Sequence, residues 1–211
     1  MNTTKNLPGL LTAMLLAQAG SAQAGFVTYT DKAAFLSAVS GAQTDSFNDL
    51  VIFQSIGSPL IRTGGNYNYQ AEATDGFFQI GPVGDTWLST NNPTPINFSL
   101  ITGNQALGGF FFCNDFEGAL TSGTISVSIN GGLFLQSVST NSAENFLGWI
   151  SDDGAPITSF QVTASGAGVY PTVNDLVFAQ AAAVPEPSTY SMALAALACG
   201  GFSVWRRRRR A

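Results

Sequence analysis

Short hydrophobic runs that fit β-strands recur between residue 25 and about residue 180, with turn residues between them. Where hydrophobic and polar residues alternate within such a run, the pattern is typical of a strand that is buried on one side, because successive side chains point to opposite faces of a sheet. In TISVSI, for example, Ile125, Val127 and Ile129 share one face. NGG and then LFLQSV follow it, so the sequence predicts a β-hairpin here. Other runs that fit strands are FVTYT, GFFQI, TWLST, INFSLI, LGGFFFC, FLGWI, ITSFQVT and NDLVF.

Runs of this number and spacing predict an all-β domain over residues 25–180. We expect a two-sheet sandwich with a jelly-roll-like arrangement, and a barrel is the alternative. The sequence shows no internal repeat and no linker until the Ala-rich stretch that precedes VPEP.

One short helix is predicted near the start of this domain. Thr30 would cap its N-terminus, and DKAAFLSAV would form it, with Phe35, Leu36 and Val39 on one face. Gly41 would end it, because glycine readily adopts the left-handed conformation that follows many helices.

The first 24 residues have the features of a signal peptide. Lys5 gives a positive start, LLTAMLLA forms an apolar core, and SAQA ends in a small residue at Ala24. Signal peptidase accepts this arrangement, so we expect the mature chain to begin at Gly25. An amphipathic N-terminal helix is the alternative.

Residues 181–211 have three parts of a different kind. The prolines of VPEPST keep the chain extended, since proline lacks a backbone N–H and restricts the residue before it. From Ser191 to Val204 no residue is charged, and Tyr190 and Trp205 flank this run. It predicts a short transmembrane helix, and the arginines that follow are expected to stay in the cytoplasm. A permanent anchor and a basic tail for nucleic acid are the alternatives.

These three parts together resemble the PEP-CTERM sorting signal of Gram-negative bacteria. The resemblance assigns the sorting motif to Val184, Pro185, Glu186, Pro187, Ser188 and Thr189. It assigns the cytoplasmic stop to Arg206, Arg207, Arg208, Arg209 and Arg210.

The resemblance implies processing by an exosortase, a membrane transpeptidase-like enzyme, in addition to signal peptidase. It also implies transit through the inner membrane to the cell envelope or extracellular matrix. Such proteins commonly accompany exopolysaccharide and biofilm production. Some ice-binding proteins carry the same tail, so the signal indicates sorting and not activity.

Charge narrows the range of partners for the central domain. The whole chain has 13 acidic and 8 basic residues, but Gly25–Val184 contains 12 acids against only Lys32 and Arg62. Nucleic acids and anionic lipids are bound by basic surfaces, so neither is an expected partner. A cation or a neutral glycan is compatible with the acidic domain, and solubility alone is the simplest explanation of its charge.

Histidine is absent from the sequence, which excludes Ser-His-Asp and Cys-His catalysis and histidine-based metal sites. Cys113 is expected to be a small buried residue, and Cys199 lies in the apolar C-terminal run.

Asp115 and Glu117 in NDFEG remain as catalytic candidates. On a strand they would share a face, as the paired carboxylates of a retaining glycosidase do, although Gly118 beside them indicates a turn.

A structural calcium site is a second use for the acidic residues. DSFNDL offers Asp45, Asn48 and Asp49, and VNDL offers Asn174 and Asp175 in the last strand. Calcium prefers several oxygen ligands of these types. Pairing of the first and last strands would bring the two groups together, and the acidic last strand resembles that of calcium-bearing jelly-roll carbohydrate-binding modules. Bonds to nearby backbone groups are the alternative role for Asn174 and Asp175.

Tyr67 and Tyr69 in NYNYQ are candidates for binding a glycan. On a strand they would project together from one face and could stack on sugar rings, although ordinary sheet packing is the default. Trp149, inside FLGWI, is expected in the core.

The absence of histidine and the low charge favour a non-enzymatic surface or matrix protein that is structural or binds polysaccharide. A small secreted glycoside hydrolase that uses acidic residues is the alternative. An ice-binding surface is a third hypothesis, but the scattered threonines do not show the regular spacing that such a surface requires.

Overall fold

The structure is a computed structural model that describes residues 25–182. The predicted signal peptide, the sorting motif, the apolar run and the arginine cluster lie outside the described residues. Within residues 25–182, no helix is long and apolar enough to cross a membrane.

The described residues form fifteen strands, one α-helix and one 3-10 helix. In chain order the elements are β1 (Phe26–Tyr29), α1 (Lys32–Ser37), β2 (Val39–Asp45), β3 (Ser55–Ile56), β4 (Leu60–Gly64), β5 (Tyr67–Glu72), β6 (Phe77–Ile80), β7 (Trp87–Thr90), β8 (Ile96–Asn104), β9 (Ala106–Asn114), β10 (Leu120–Thr121), β11 (Gly123–Ile129), β12 (Gly132–Val138), a 3-10 helix (Ser142–Glu144), β13 (Phe146–Ser151), β14 (Ile157–Ser165) and β15 (Tyr170–Ala181).

These strands build two antiparallel sheets. The larger sheet has nine strands in the order β1-β13-β9-β15-β7-β6-β3, with β10 paired to β9 and β2 paired to β15. The smaller sheet has six strands in the order β12-β11-β14-β8-β5-β4. The main core, which includes Trp149, Phe111, Phe98 and Tyr69, lies between the sheets. The predicted all-β, two-sheet sandwich is confirmed.

The two sheets differ in what lies outside them. In the six-stranded sheet, strands such as β5 and β8 alternate between buried and exposed residues, so their outer face meets solvent. In the nine-stranded sheet, β9, β13 and β15 are buried on both faces over most of their length. Helix α1 and several loops cover parts of the outer face of this sheet, and any concave site must form between them.

The hairpin prediction is confirmed in detail. β11 and β12 pair from Gly123↔Val138 to Ile129↔Gly132. Asn130 and Gly131 form the turn with φ of 45° and 89°, which is the left-handed geometry of the two-residue turns that match strand twist. Trp149 and Cys113 are fully buried, as predicted, and burial raises the pKa of the Cys113 thiol to about 11.

The helix begins and ends at residues other than those predicted. Its N-cap is Asp31, whose side chain accepts a hydrogen bond from the Ala34 amide. It ends at Ser37, and Val39 already belongs to β2. Gly41 has a φ of 63°, but it lies within β2 and does not end the helix. Val39, which the sequence predicts in the helix, instead begins β2, and β2 pairs with β15.

Candidate functional site: the outer face of the nine-stranded sheet

Helix α1 covers one end of the outer face of the nine-stranded sheet. Its only fully buried side chain, Phe35, lies against Gly108 of β9 and Gly148 of β13. A Cβ atom at these glycines would be 3.0 and 2.5 Å from the Phe35 ring. The two glycines therefore allow the helix to lie directly on the sheet at this end of the face.

The other end of the same face carries a small hydrophobic cluster formed by Ile80, Trp87 and Phe112. The rings of Trp87 and Phe112 meet edge to face with their centroids 4.8 Å apart. Three cavities surround this cluster, and we call this end of the sheet the cavity face.

The first cavity, the Tyr170 cavity, has a volume of about 230 Å³. Its lining includes Phe78, Asn91, Asp115, Phe116 and Tyr170. The Phe116 side chain is 86% exposed, whereas Tyr170 and Phe78 are half-buried. Aromatic surface and polar groups thus meet in one open depression.

The buried side chains of Ser89 and Asn114 line the floor of the Tyr170 cavity, and the buried Thr172 side chain bonds to Asn114. The Ser89 hydroxyl donates to Asn114 Oδ1 at 2.8 Å, and the Thr172 hydroxyl donates to the same oxygen. Because these groups bond to one another, the floor is rigid and leaves recognition to the residues at the rim.

The second cavity, the Phe53 cavity, has a volume of about 360 Å³ and lies on the other side of the turn at Gly118. Its lining includes Phe53, Pro82, Trp87 and Glu117. Phe53 is 65% exposed. Gly118 borders both cavities, so the two depressions flank a single turn.

The third cavity, the Asp175 cavity, has a volume of about 170 Å³ and is lined by Asp85, Asn174, Asp175 and Phe110, among others. Asp85 Oδ2 accepts a hydrogen bond from the Trp87 indole at 3.0 Å, and its Oδ1 accepts one from the Asn174 amide at 2.8 Å. The Asn174 Oδ1 atom is buried and has no hydrogen-bond partner within the part of the chain that the structure describes.

A lysine borders this third cavity. Lys32 Nζ lies 2.8 Å from Asp175 Oδ2 and 5.0 Å from the centroid of the Phe110 ring. Its charge is therefore already compensated by a carboxylate and an aromatic face. This pairing leaves the cavity without a free positive charge from Lys32.

Two residues of the cavity face have an uncommon backbone conformation. Phe53 has a φ of 58° and Asp175 a φ of 48°, and such values are costly for non-glycine residues. The amide of Phe53 donates to Gln79 O at 2.8 Å. Asp175 lies at an irregularity of β15, between Asn174 and Val177. Both conformations direct a side chain towards a cavity, which is typical of binding sites.

Asp115 and Glu117 do not lie on a strand. β9 ends at Asn114, and the chain then turns, with the Asp115 amide donating to Ala119 O at 2.9 Å. Asp115 Oδ1 accepts hydrogen bonds from the amides of Glu117 and Ala119. The expectation of a shared strand face is wrong, because this aspartate stabilises the turn that Gly118 indicated. Asp115 borders the Tyr170 cavity and Glu117 the Phe53 cavity.

Tyr67 and Tyr69 do share one face of a strand, β5, but this face points into the sandwich. They are 7% and 0% exposed. The Tyr69 hydroxyl donates to Asp45 Oδ2 at 2.8 Å, and its ring lies 5.1 Å from that of Phe178. The prediction that they form a glycan platform is wrong. Alternation shows which residues of a strand share a face, but it does not show which of the two faces is buried.

The first group of predicted calcium ligands surrounds an arginine. Arg62 donates two hydrogen bonds to Asp45, at 2.6 and 3.0 Å, and two to Asp49, both at 2.7 Å. Asp45 belongs to the nine-stranded sheet, whereas Arg62 and Tyr69 belong to the six-stranded sheet. These side chains therefore form a polar clamp between the sheets.

The clamp shifts the pKa values of its members. The hydrogen bonds from Arg62 lower the pKa of Asp49. Burial raises the pKa of Tyr69, and the Asp45 carboxylate raises it further. Burial alone would lower the pKa of Arg62, but the hydrogen bonds to Asp49 and Asp45 outweigh it and raise the pKa overall. Arg62 and Asp49 are therefore both charged at neutral pH.

The second group of predicted calcium ligands, Asn174 and Asp175, bonds to other residues. The first strand, β1, pairs with β13, and it is the second strand, β2, that pairs with the last strand, β15. Asp175 bonds to Lys32 and Asn174 to Asp85. Asn48 Oδ1 accepts a hydrogen bond from the Thr86 amide. Within residues 25–182, no group of three or more acidic, cysteine or histidine side chains is placed to hold a metal ion. The structure therefore does not bring the five predicted ligands together.

Several residues of the cavity face escaped the sequence analysis. Phe53, Phe78, Asp85 and Phe116 come from four separate segments, and only the fold brings them together. A local signal existed for Phe116, since an aromatic residue between two acids at a turn is usually exposed.

Comparison with known proteins identifies the C-terminal segment. A family model for the PEP-CTERM protein-sorting motif matches residues 183–210. The chain therefore carries an exosortase-dependent sorting signal, which marks an exported protein with a membrane-anchored stage in transit. No curated protein matches the chain.

Some solved structures resemble the chain in shape. A family 29 carbohydrate-binding module is 11% identical with a TM-score of 0.35, and the match covers 69% of this chain and 99% of that module. The catalytic unit of a GH87 alpha-1,3-glucanase from Streptomyces thermodiastaticus is 17% identical with a TM-score of 0.33, over 56% of this chain and 28% of the glucanase. A family 43 arabinoxylan arabinofuranohydrolase from Bacillus subtilis is 16% identical with a TM-score of 0.30, over 50% of this chain and 25% of the hydrolase. Likenesses this low assign neither an activity nor a ligand to this chain.

Proposed function

We propose that the exported domain binds a neutral polysaccharide outside the inner membrane, without acting on it chemically. The observation that carries this proposal is the placement of Phe116 and Tyr170 beside Asn91 and Asp115 in one open cavity. The C–H face of a sugar ring is apolar and packs on aromatic rings, whereas its hydroxyl groups need hydrogen-bond partners.

The other two cavities extend this surface. Phe53 adds a second exposed aromatic ring across the turn at Gly118. In the Asp175 cavity, Asp85 and Asn174 add further polar groups to this surface. Several shallow depressions around one cluster suit a chain of sugar units better than one small molecule held in a deep pocket.

Charge favours a neutral polymer. Both basic residues of the domain are already bonded to carboxylates, Lys32 to Asp175 and Arg62 to Asp45 and Asp49. A polyanion would approach an acidic surface with no free cation from these residues to receive it.

Three of the four carboxylates that line the cavities have structural roles. Asp115 holds a turn, Asp85 accepts hydrogen bonds from Trp87 and Asn174, and Asp175 is paired with Lys32. These carboxylates fix the positions of their neighbours, which favours binding over catalysis. Glu117 at the Phe53 cavity is the carboxylate that a hydrolase would use, because a general acid or nucleophile needs an oxygen that is free to reach the glycosidic bond.

Binding can be tested by affinity electrophoresis of the protein, purified from its own host, through gels that contain the host's extracellular polysaccharide. We expect retarded migration that increases with the polysaccharide concentration, and no release of reducing sugar. Unchanged migration at all concentrations would contradict binding. Release of reducing ends that is lost in Glu117→Gln would favour the hydrolase.

A second proposal concerns the cleavage of the chain during sorting. We expect signal peptidase to cut before Gly25 and an exosortase to cut near Val184–Ser188, which leaves a mature domain of about 160 residues. The extended prolines of this segment would present the backbone to the enzyme. Intact-mass analysis of envelope and medium fractions tests this. A mature protein that keeps Arg206–Arg210 in a strain with its exosortase intact would instead show a permanent anchor.

A further inference from the structure

β12 is the last strand at one edge of the six-stranded sheet. It has seven residues, Gly132–Val138, and pairs only with β11 among the described residues. A free strand edge presents unpaired backbone N–H and C=O groups, which another strand can bind.

The register identifies these free groups. In a hairpin with a two-residue turn, the residues that flank the turn exchange both backbone hydrogen bonds, and every second pair along the hairpin does the same. The flanking pair is Ile129 and Gly132. The backbone groups of Leu133, Leu135 and Ser137 therefore point away from β11.

The side chains of β12 also leave this edge accessible. Leu133 and Leu135 are 63% and 68% exposed. Phe134 faces inward, with its ring centroid 5.9 Å from that of Phe26 and 5.4 Å from that of Trp149. The strand is held in place by its inner face while two leucines remain in solvent.

Other free edges in the described residues are shorter or carry protective features. β1 has four residues, and β3 and β10 have two each. β4 follows Pro59 and contains Arg62, and β2 contains a register irregularity against β15. Prolines, charges, irregularities and short strands are the usual means of preventing edge pairing. β12 has none of these.

Charge indicates what can pair with β12. No charged residue occurs between Glu117 and Glu144, although the domain has a net charge of about −10, from 12 acids and two bases. Two copies of such a domain repel each other on most approaches. The β12 edge lies in the long uncharged segment, where two copies can meet with least repulsion.

We infer that β12 pairs antiparallel with β12 of a second copy of this chain. The two-fold axis passes through Leu135, so that Leu135 faces Leu135 of the second copy and Leu133 faces its Ser137. The outward backbone groups are then paired, the leucines are partly buried, and two six-stranded sheets become one continuous sheet. Such an isologous contact closes a dimer.

Sedimentation velocity of the purified exported protein, over a series of concentrations, tests the inference. We expect a monomer–dimer equilibrium in the wild type. Leu135→Pro removes an outward N–H at the axis but no hydrogen bond to β11, so it should raise the dissociation constant at least about tenfold, which is 1.4 kcal/mol. Leu135→Lys should have the same effect, because it sets two like charges opposite each other.

Matched controls separate the edge from its surroundings. Ile101→Lys adds the same charge on β8 of the same sheet and should leave the dimer intact. Thermal melts show whether each variant folds, and if Leu135→Pro does not fold, Leu135→Lys decides. A monomeric wild type at every concentration, or a folded Leu135→Lys that dimerises like the wild type, overturns the inference. Polysaccharide binding by the cavity face would be unaffected by either result.

Discussion

The outer faces of the two sheets differ although both sheets are built from antiparallel strands. The nine-stranded sheet is overlaid by α1 and loops, and aromatic and acidic side chains surround cavities between these covers. The outer face of the six-stranded sheet, which we call the plain face, carries exposed Asn68, Asn97, Ser99, Ile101 and Gln161.

This difference shows where recognition arises. On the plain face the amides bond to one another across strands, as between Gln161 and Asn97 at 2.7 Å. On the cavity face, loops bring Phe53, Asp85 and Phe116 against a sheet surface that they do not belong to. Concave surface comes from the loops, and loops are where binding residues are most often found.

The polar clamp holds the two sheets together and so supports both faces. Its loss should therefore have the largest effect on the stability of the domain. Arg62→Ala leaves the buried carboxylate of Asp45 without its partner, and we expect a loss of about 3 kcal/mol of unfolding free energy. For a domain of this size the melting temperature should fall by about 10 °C. Calorimetry measures this change in melting temperature.

Lys32→Ala is the matched control for this prediction. It removes the other basic residue, but its pair with Asp175 is partly exposed, at 33% and 28% of the two side chains. Its loss should cost less than about 1 kcal/mol. Equal effects of the two substitutions would contradict the structural role of the clamp.

The second prediction separates the faces by ligand binding. Phe116→Ala removes an exposed ring from the Tyr170 cavity, and the apparent affinity for the host polysaccharide should fall about tenfold, which corresponds to 1.4 kcal/mol. Ile101→Ala removes an exposed hydrophobic side chain from the plain face and should change nothing. Affinity electrophoresis measures both, and the reverse order of effects would move binding to the plain face.

The third prediction concerns acid. The folded-state pKa of Asp49 is lower than its unfolded value because of Arg62, so its contribution is present above the unfolded pKa of about 3.9 and disappears as pH falls through the folded value. Asp49 is mostly exposed, so the contribution should be below about 1 kcal/mol. Melting curves of wild type and Asp49→Asn should differ at pH 7, and the difference should shrink as the pH falls below about 3.9. A difference that stays the same or grows as the pH is lowered through this range would contradict the linkage.

The smallest expected effect is that of chelation. The carboxylates that the sequence predicts as calcium ligands bond to Arg62 and Lys32. A bound cation would stabilise the folded state by mass action. We expect EDTA to leave the melting temperature unchanged. A fall in EDTA that calcium reverses would restore the calcium hypothesis and add a cation to the junction of β2 and β15.

The sequence predicted the structural features that depend only on residues close together in the chain. The β11–β12 hairpin follows from an alternating pattern and a turn, and both are local. Tyr67 and Tyr69 were placed on one face of a strand, but local alternation does not reveal whether that face meets solvent or the other sheet. The partners of Asp45 and Asp175 are also non-local, because Arg62 and Lys32 come from other elements. The cavity face was missed for the same reason.

Hydroxyl-radical footprinting with mass spectrometry tests the contrast between the faces most directly, because each face has exposed oxidisable side chains. Host polysaccharide should reduce the oxidation of Phe53, Phe116 and Tyr170. It should leave Ile101 and Ile61 unchanged, which are 66% and 69% exposed on β8 and β4 of the six-stranded sheet. Leu133 and Leu135 should respond to protein concentration and not to polysaccharide. Protection of Ile101 and Ile61, with the three aromatic residues still fully oxidised, would contradict the assignment of binding to the cavity face.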